Sequence, residues 1–380
     1  MKILYLARAA IPSETANSVH VMKMCSAFAA NGAAIELVVP GPAGPGESGG
    51  GDPHRYYDVA RPFPITRLAG IPLLKPSHAF AVKVFAALRA GRFRPDLVYS
   101  RDLLGGFAAL LAGCPLVLEI HHPMRDSGRL HGWLFDRIAR HRRFVGLVVI
   151  TRALARWHQE HTPVPPDKIV VAPDGADVGG EPARGVCLVA IPDNGRFRAG
   201  YVGSLYAGKG LEVIVPLARL LPEVDFHVLG GSGDLLHGWR ERTQGVENLY
   251  FHGYCPPSGI AAFLAAMDVL LVPNQRTVRS VGGSEIGRWT SPLKLFESMA
   301  AGKPVVASDL EVLREVLVPG ENCLLCPPDD IAAWQQALLQ LREDRALAAR
   351  LAANARAELL ERYTWEKRAA MLLKFLAGRR

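Results

Sequence analysis

The feature that most limits what this chain can fold into is a rhythm. Short continuous apolar runs fall at residues 2–7, 35–39, 65–68, 97–99, 116–120, 147–150 and 169–171. Stretches of helical spacing separate them, at about 18–31, 78–90, 103–112, 129–142 and 152–160. An apolar run without alternation is what a strand looks like when helices cover both faces of its sheet. Strands that alternate with helices build a parallel, doubly wound sheet. The rhythm breaks at residues 173–198, which hold Pro173, Gly175, Gly179, Gly180, Pro182, Gly185, Pro192 and Gly195, the best linker candidate in the chain. It then restarts, with strands expected at 199–202, 224–229, 249–251, 269–272 and 305–307 and helical stretches at 209–220, 234–243 and 257–266. From Ile331 onward the chain reads as helix with breaks.

The expectation is therefore α/β with two Rossmann-like domains, residues 1–185 and 186–363, and a last helix over 364–380. A chain of 380 residues is too long for one ordinary core, which agrees with two. In such sheets ligands sit at the carboxyl ends of the strands, so the two edges are expected to face each other across a cleft. Residues 40–55, rich in Gly and Pro and without periodicity, read as a mobile surface loop.

Composition narrows the class. With 49% hydrophobic and 21% charged residues the chain is globular, and no run of about 18 uncharged apolar residues suggests a membrane span. The opening Met1–Arg8 reads as a strand and lacks the long apolar region of a signal peptide, so the cytoplasm is the default location. Cys25, Cys114, Cys187, Cys255, Cys323 and Cys326 are scattered, and disulfides are not expected. Cys323 and Cys326 form a CxxC without a second pair inside an apolar stretch, which favours two core thiols over zinc. Residues 1–190 carry 22 Lys and Arg against 15 Asp and Glu, and residues 191–380 carry 22 against 21. The positive excess thus lies on the first half, with a cluster at Arg137, Arg140, His141, Arg142 and Arg143. Such a half can attract an anionic membrane surface or a phosphorylated substrate. No nucleic-acid motif accompanies it.

Three stretches carry candidate chemistry. In 289–308, Ser291 reads as an N-cap with Pro292 at the first helical position, Gly302 as the helix end and 305–307 as a buried strand. A helix start presents free N–H groups, here those of Leu293 and Lys294, backed by the positive end of the dipole. Glu297 lies one turn on, in reach of a neutral hydroxyl. The stretch Tyr201–Gly210 follows a strand and opens a helix. Its small residues let backbone approach an anion and Lys209 adds a charge, but the spacing is neither a Walker motif nor GxGxxG. Together the two elements point to a diphosphate. Glu119-Ile-His-His122 ends a strand, where ligand groups sit in such sheets. Each stretch alone also suits an ordinary cap, turn or surface loop. Asp174–Asp177 reads as a turn. No ligand spacing suggests a metal, no Asp-x-Asp is present to hold one on a diphosphate, and no Gly-x-Ser-x-Gly suggests a hydrolase.

Assembled, these residues resemble the GT-B glycosyltransferases of family 4, the group 1 retaining enzymes, over nearly the whole chain. The resemblance rests on Gly203-Ser204 with Lys209-Gly210, Phe251-His252-Gly253, Asp268 to Pro273, Ser291 to Val305, and Tyr363-Thr364-Trp365. It implies transfer of a sugar from a nucleotide diphosphate donor, with retention, usually without an essential metal, and with no cofactor besides that co-substrate. His121, Lys209 and Glu297 would be the catalytic set. Lys209 would contact the diphosphate, His121 the donor sugar near the reacting centre, and Glu297 the ribose, as the second Glu of a Glu-x7-Glu motif. The N–H groups of Leu293 and Lys294 would hold the diphosphate or sugar, with Gly203, Ser204, Trp289 and Ser291 completing the donor side. The loop Ser13 to Ser18, through Ser13, Asn17 and Ser18, would face a glycan, lipid-linked or small-molecule acceptor. The last helix would cross back onto the first domain, and peripheral contact with an anionic membrane would go through the basic first domain. Two departures stand out. Trp289 occupies the first Glu of the motif, and Ser204 stands where a basic residue is common. The competing readings are a nucleotide-sugar 2-epimerase on the same fold and a non-catalytic nucleotide-sugar binding protein.

Overall fold

The computed structural model describes residues 1–41, 51–178, 189–278, 285 and 287–379. The chain forms two compact units, Met1–Pro173 joined by Trp365–Arg380, and Asp174–Thr364. Most of the linker candidate, residues 179–188, and Cys187 with it, lies outside the described residues.

The first unit runs β1 (Lys2–Leu6), α1 (Ala16–Ala30), β2 (Ala34–Pro40), α2 (Pro53–Tyr56), β3 (Ile65–Leu68), α3 (Pro76–Arg89), β4 (Leu97–Ser100), α4 (Leu103–Leu111), β5 (Leu116–Ile120), α5 (Arg129–Ala139), β6 (Phe144–Val149), α6 (Arg152–His161) and β7 (Ile169–Val171). Among the described residues its seven strands are all parallel, in the order β3-β2-β1-β4-β5-β6-β7. The second unit runs β8 (Phe197–Val202), α7 (Leu211–Leu220), β9 (Val224–Leu229), α8 (Gly233–Arg242), β10 (Leu249–Gly253), α9 (Pro257–Ala265), β11 (Val269–Val272), α10 (Leu293–Ala300), β12 (Val305–Ser308), β13 (Leu324–Cys326), α11 (Ile331–Glu343) and α12 (Arg345–Arg362). Its six parallel strands are ordered β10-β9-β8-β11-β12-β13. The last helix, α13 (Trp365–Ala377), belongs to the first unit and packs beside α1.

Local chemistry explains the boundaries. Side-chain caps start the helices: Thr15 accepts from the Ser18 N–H, Asp102 from Gly105 at 2.6 Å, Asp330 from Ala333 and Asp344 from Leu347. The strands β4, β5, β9, β11 and β12 are buried along their whole length, as expected when helices cover both faces of a sheet. Tyr5 stacks on Tyr99 at 5.0 Å in one core, and Trp334 closes the other against Leu217 and Phe226.

Three expectations need correction. Ser291 does not cap α10; Pro292 takes the cap position with extended backbone, and the Ser291 hydroxyl accepts from the Asp174 N–H at 2.9 Å instead. That bond anchors the segment entering the second unit, a long-range demand that local capping preference does not show. The stretch 40–55 is not all loop, because Asp52 caps the short helix α2; residues 42–50 lie outside the described residues. The third concerns Ser18, expected on an acceptor-facing loop. It is 0% exposed, and its hydroxyl lies 2.9 Å from the Ser13 carbonyl and 2.8 Å from that of Thr15. Cys323 and Cys326 are buried free thiols, and burial pushes each up to about 12.

Candidate active site

In a doubly wound sheet the crevice opens where the strand order reverses. In the second unit that point lies between β8 and β11. The loop leaving β8 carries Gly203 to Gly210, and the chain leaving β11 leads to α10. Two glycines let these loops pack. A Cβ on Gly208 (φ 81°) would lie 2.2 Å from the Thr277 carbonyl oxygen, and one on Gly210 (φ 128°) 2.3 Å from Pro273 Cγ. Lys209 sits between them, half-buried.

Several N–H groups of this turn are already used. Gly208 and Gly210 donate to the Glu212 carboxylate at 2.8 and 3.2 Å, and Gly203 donates to the Leu229 carbonyl. The Lys294 ammonium donates to the Lys209 carbonyl at 3.0 Å and lies 4.6 Å from the centre of the Tyr201 ring. Tyr201 is held beneath it by donating to the Ser204 carbonyl at 2.8 Å. Burial pulls the Lys209 ammonium below its ordinary range, and burial followed by the Lys209 charge pulls Lys294 well below. Two ammonium groups thus oppose each other at the mouth of a sheet crevice, and an entering anion would relieve both.

The start of α10 adds to this. The N–H of Leu295 bonds to the Pro292 carbonyl, whereas those of Leu293 and Lys294 precede any acceptor inside the helix. Such groups favour negative charge. Glu297 is half-buried one turn later. Trp289 closes a single 3-10 turn, Gly287–Trp289, with the Arg288 guanidinium 5.4 Å from its ring centre. Ser204, Lys209, Leu293 and Lys294 thus border one crevice.

The first unit concentrates charge around β5. Glu119 stands in this buried strand at 1% exposure. Its Oε1 lies 2.8 Å from His121 Nε2, 2.8 Å from His20 Nε2 and 3.0 Å from Arg368 Nη2, while Oε2 accepts from the Tyr99 hydroxyl. Burial alone would raise the Glu119 carboxyl; Arg368 and His20, with the hydrogen bonds, outweigh it and hold the group well below the usual range. His121 keeps a quarter of its side chain exposed. Burial and the Arg101 charge lower its pKa to about 4, so the ring is neutral near pH 7. Arg101 Nη2 lies 3.2 and 3.1 Å from the two ring nitrogens, a position over the ring face, since an in-plane approach would collide with the carbon between them.

His20, Glu119 and His121 bring ligand atoms within 4.8 Å of one another, close enough to hold a metal ion. The donor set fits one poorly, because the only carboxylate already neutralises a buried guanidinium and Arg101 adds a second. Of the acceptor-side candidates, Asn17 is exposed, and the Ser13 N–H donates to the Tyr57 hydroxyl at 2.6 Å.

Several residues of both sites have no motif to announce them. The side chain of Lys294, with Tyr201 and Glu212, shapes the anion crevice. His20, Arg101 and Arg368 surround Glu119. The one available signal was Glu119 itself: a carboxylate inside a continuous apolar strand demands buried partners.

Comparison with known proteins identifies the family and the fold. The family model described as Glycosyltransferase Family 4 matches residues 18–179, and the one described as Glycosyl transferases group 1 matches residues 196–344. Phosphatidyl-myo-inositol mannosyltransferase of Mycobacterium leprae (strain TN) is 27% identical over 372 residues, covering 93% of this chain and 91% of its own. Among solved structures, sucrose-phosphate synthase from Thermosynechococcus elongatus aligns with a TM-score of 0.74 at 17% identity over 99% of this chain and 98% of the other. Anabaena HepE, in complex with UDP-glucose, aligns at 0.72 and 19% identity over the full length of both chains. The chain belongs to the family 4 glycosyltransferases and has the GT-B fold.

Proposed function

We propose that the chain is a retaining hexosyltransferase that uses a nucleoside diphosphate sugar and needs no metal ion. The observation that carries this reading is the pair Lys209 and Lys294 beside the start of α10, cationic groups whose charge burial disfavours until an anion arrives. Diphosphate suits that crevice, and stabilising it as it leaves is the kind of electrostatic effect that usually dominates such catalysis. Glu297 would take the ribose hydroxyls. Trp289, which replaces the family's first motif Glu, would alter how the sugar is held. Neutral His121 would contact the transferred sugar. The acceptor hydroxyl would pass its proton to the departing phosphate oxygen while its oxygen bonds to the anomeric carbon on the face the phosphate leaves, so no protein nucleophile is required.

For the acceptor, the relative named as a phosphatidyl-myo-inositol mannosyltransferase makes a lipid the first class to try. Leu130 and Trp133 of α5 are exposed, and the Arg137 guanidinium lies 5.4 Å from the Trp133 ring centre, a combination suited to peripheral contact with an anionic bilayer. No helix among the described residues is long and apolar enough to cross a membrane.

A panel of nucleoside diphosphates and their sugars, read by thermal melting, tests donor binding, since a ligand of the folded state raises the melting temperature by mass action. NMR of the anomeric proton in the product, with and without EDTA, tests retention and metal independence. A covalent glycosyl-enzyme trapped on a carboxylate would overturn the mechanism. Epimerised sugar without acceptor would identify an epimerase instead.

A further inference from the structure

We propose that Arg368 on the last helix is a positioning residue for His121, acting through Glu119 to keep the imidazole with Nε2–H toward the carboxylate and the Nδ1 lone pair toward the ligand. The inference rests on the reading that His121 contacts the transferred sugar, and it adds what sets that ring's hydrogen-bonding sense.

A carboxylate only accepts hydrogen bonds, so a neutral ring whose Nε2 lies 2.8 Å from Glu119 Oε1 carries its proton on Nε2. Nδ1 is then an acceptor, suited to a sugar hydroxyl. Arg101 does not occupy that lone pair, because its Nη2 lies over the ring face. The arrangement holds only while Glu119 stays ionised. A protonated Glu119 is a donor as well, and a donor facing Nε2 would move the ring proton to Nδ1 and reverse what the ligand meets.

Arg368 is the charge that keeps Glu119 ionised at 1% exposure, with Nη2 3.0 Å from Oε1. It has little freedom to leave. Its Nε donates to the Pro173 carbonyl at 2.9 Å, and its Nη2 lies 3.1 Å from the Ala172 carbonyl. Trp365, one turn earlier on the same face of α13, meets the His20 ring edge-on at 5.2 Å. One helical face thus supports both histidines that contact Glu119. The titratable and charged groups facing the cluster are Tyr5 from β1, His20 and Cys25 from α1, Tyr99 from β4, Arg101 after β4 and Arg368. Burial pushes Tyr5, Cys25 and Tyr99 well up, so these three stay neutral over the working range.

The test is NMR of the full chain labelled with 15N-histidine, the His121 signals assigned by their loss in His121→Gln. The expected wild-type pattern is a neutral ring with Nε2–H. In Arg368→Met the Nδ1–H form should appear near neutral pH, and Arg368→Lys should restore the wild-type pattern. In transfer assays Arg368→Met should lower kcat on the order of 10- to 100-fold, with little change in KM for the donor. Its activity should recover as pH rises and Glu119 ionises, a titration that a purely structural role would not produce. An unchanged His121 tautomer in Arg368→Met overturns the proposal. Should that variant not fold, Glu119→Gln replaces it: its amide accepts or donates, so both tautomers are expected, and a single unaltered Nε2–H form is the overturning result. If His121→Gln transfers sugar at the wild-type rate, the role given to His121 fails, while the tautomer result still decides the link to Arg368.

Discussion

The two units handle buried charge in opposite ways. Around Glu119 the carboxylate is fully engaged: it faces Arg368, His20, His121 and Tyr99, with the Arg101 guanidinium over the His121 ring. Around Lys209 the balance leans positive: a second ammonium, Lys294, bonds to its carbonyl, and both are held below their ordinary range although the Glu212 carboxylate acts on Lys294 in the other direction. A closed network fixes geometry, because removing any member leaves a buried group without its partner. An open one stores affinity for whatever charge completes it. The first arrangement suits a group that orients a reactant, and the second suits a site that receives and releases an anion.

If that contrast is real, deletions in the two units should have different signatures. The largest effect is expected for Glu119→Ala, which strands Arg368 in the interior. Denaturant titration should show a loss of about 3–5 kcal/mol, and a variant as stable as the wild type would show that the network is not closed. Next comes Lys209→Met. Steady-state assays should show kcat reduced on the order of 10²- to 10³-fold at unchanged or raised stability, together with loss of the melting shift from nucleoside diphosphates. A retained shift would move the diphosphate elsewhere.

The pH dependence of stability should follow from the buried histidines. His121 and His227 are lowered to about 4 and His158 to about 3, each first by burial. Between the ordinary histidine value and these, the unfolded chain binds protons that the folded chain refuses, so stability rises with pH there. Melting curves should shift downward as pH falls from about 6.5 toward 4. A flat profile would mean these rings are protonated in the folded protein. The smallest effect is expected for Ser18→Ala. Losing a buried hydroxyl that bonds two loop carbonyls should cost about 1 kcal/mol with kcat unchanged, whereas a change in acceptor KM without loss of stability would return Ser18 to the acceptor side.

Much of the fold was legible in the sequence because its signals are local. The strand expected at 224–229 is Val224–Leu229, and the apolar run 269–272 is Val269–Val272. The break in rhythm implied two sheets, and both are present. The glycine-rich turn after β8 and the helix α10 were legible for the same reason, since each is a feature of ten residues or fewer. Ser291 was misread as a cap because its preference is local while its partner, Asp174, is distant.

Legible from the chain alone, therefore, were the order of strands and helices, the family, and the two short stretches proposed here to take an anion. Only the tertiary structure decided how charge is matched. Glu119 and Arg368 lie 249 positions apart, and nothing in the spacing of either predicts the other. Local pattern singles out the N–H of Lys294, yet its side chain reaches a carbonyl 85 positions away. The physical reason is that secondary structure follows from short-range backbone and packing preferences. The state of a buried charge depends instead on whichever groups the completed fold brings within hydrogen-bonding distance.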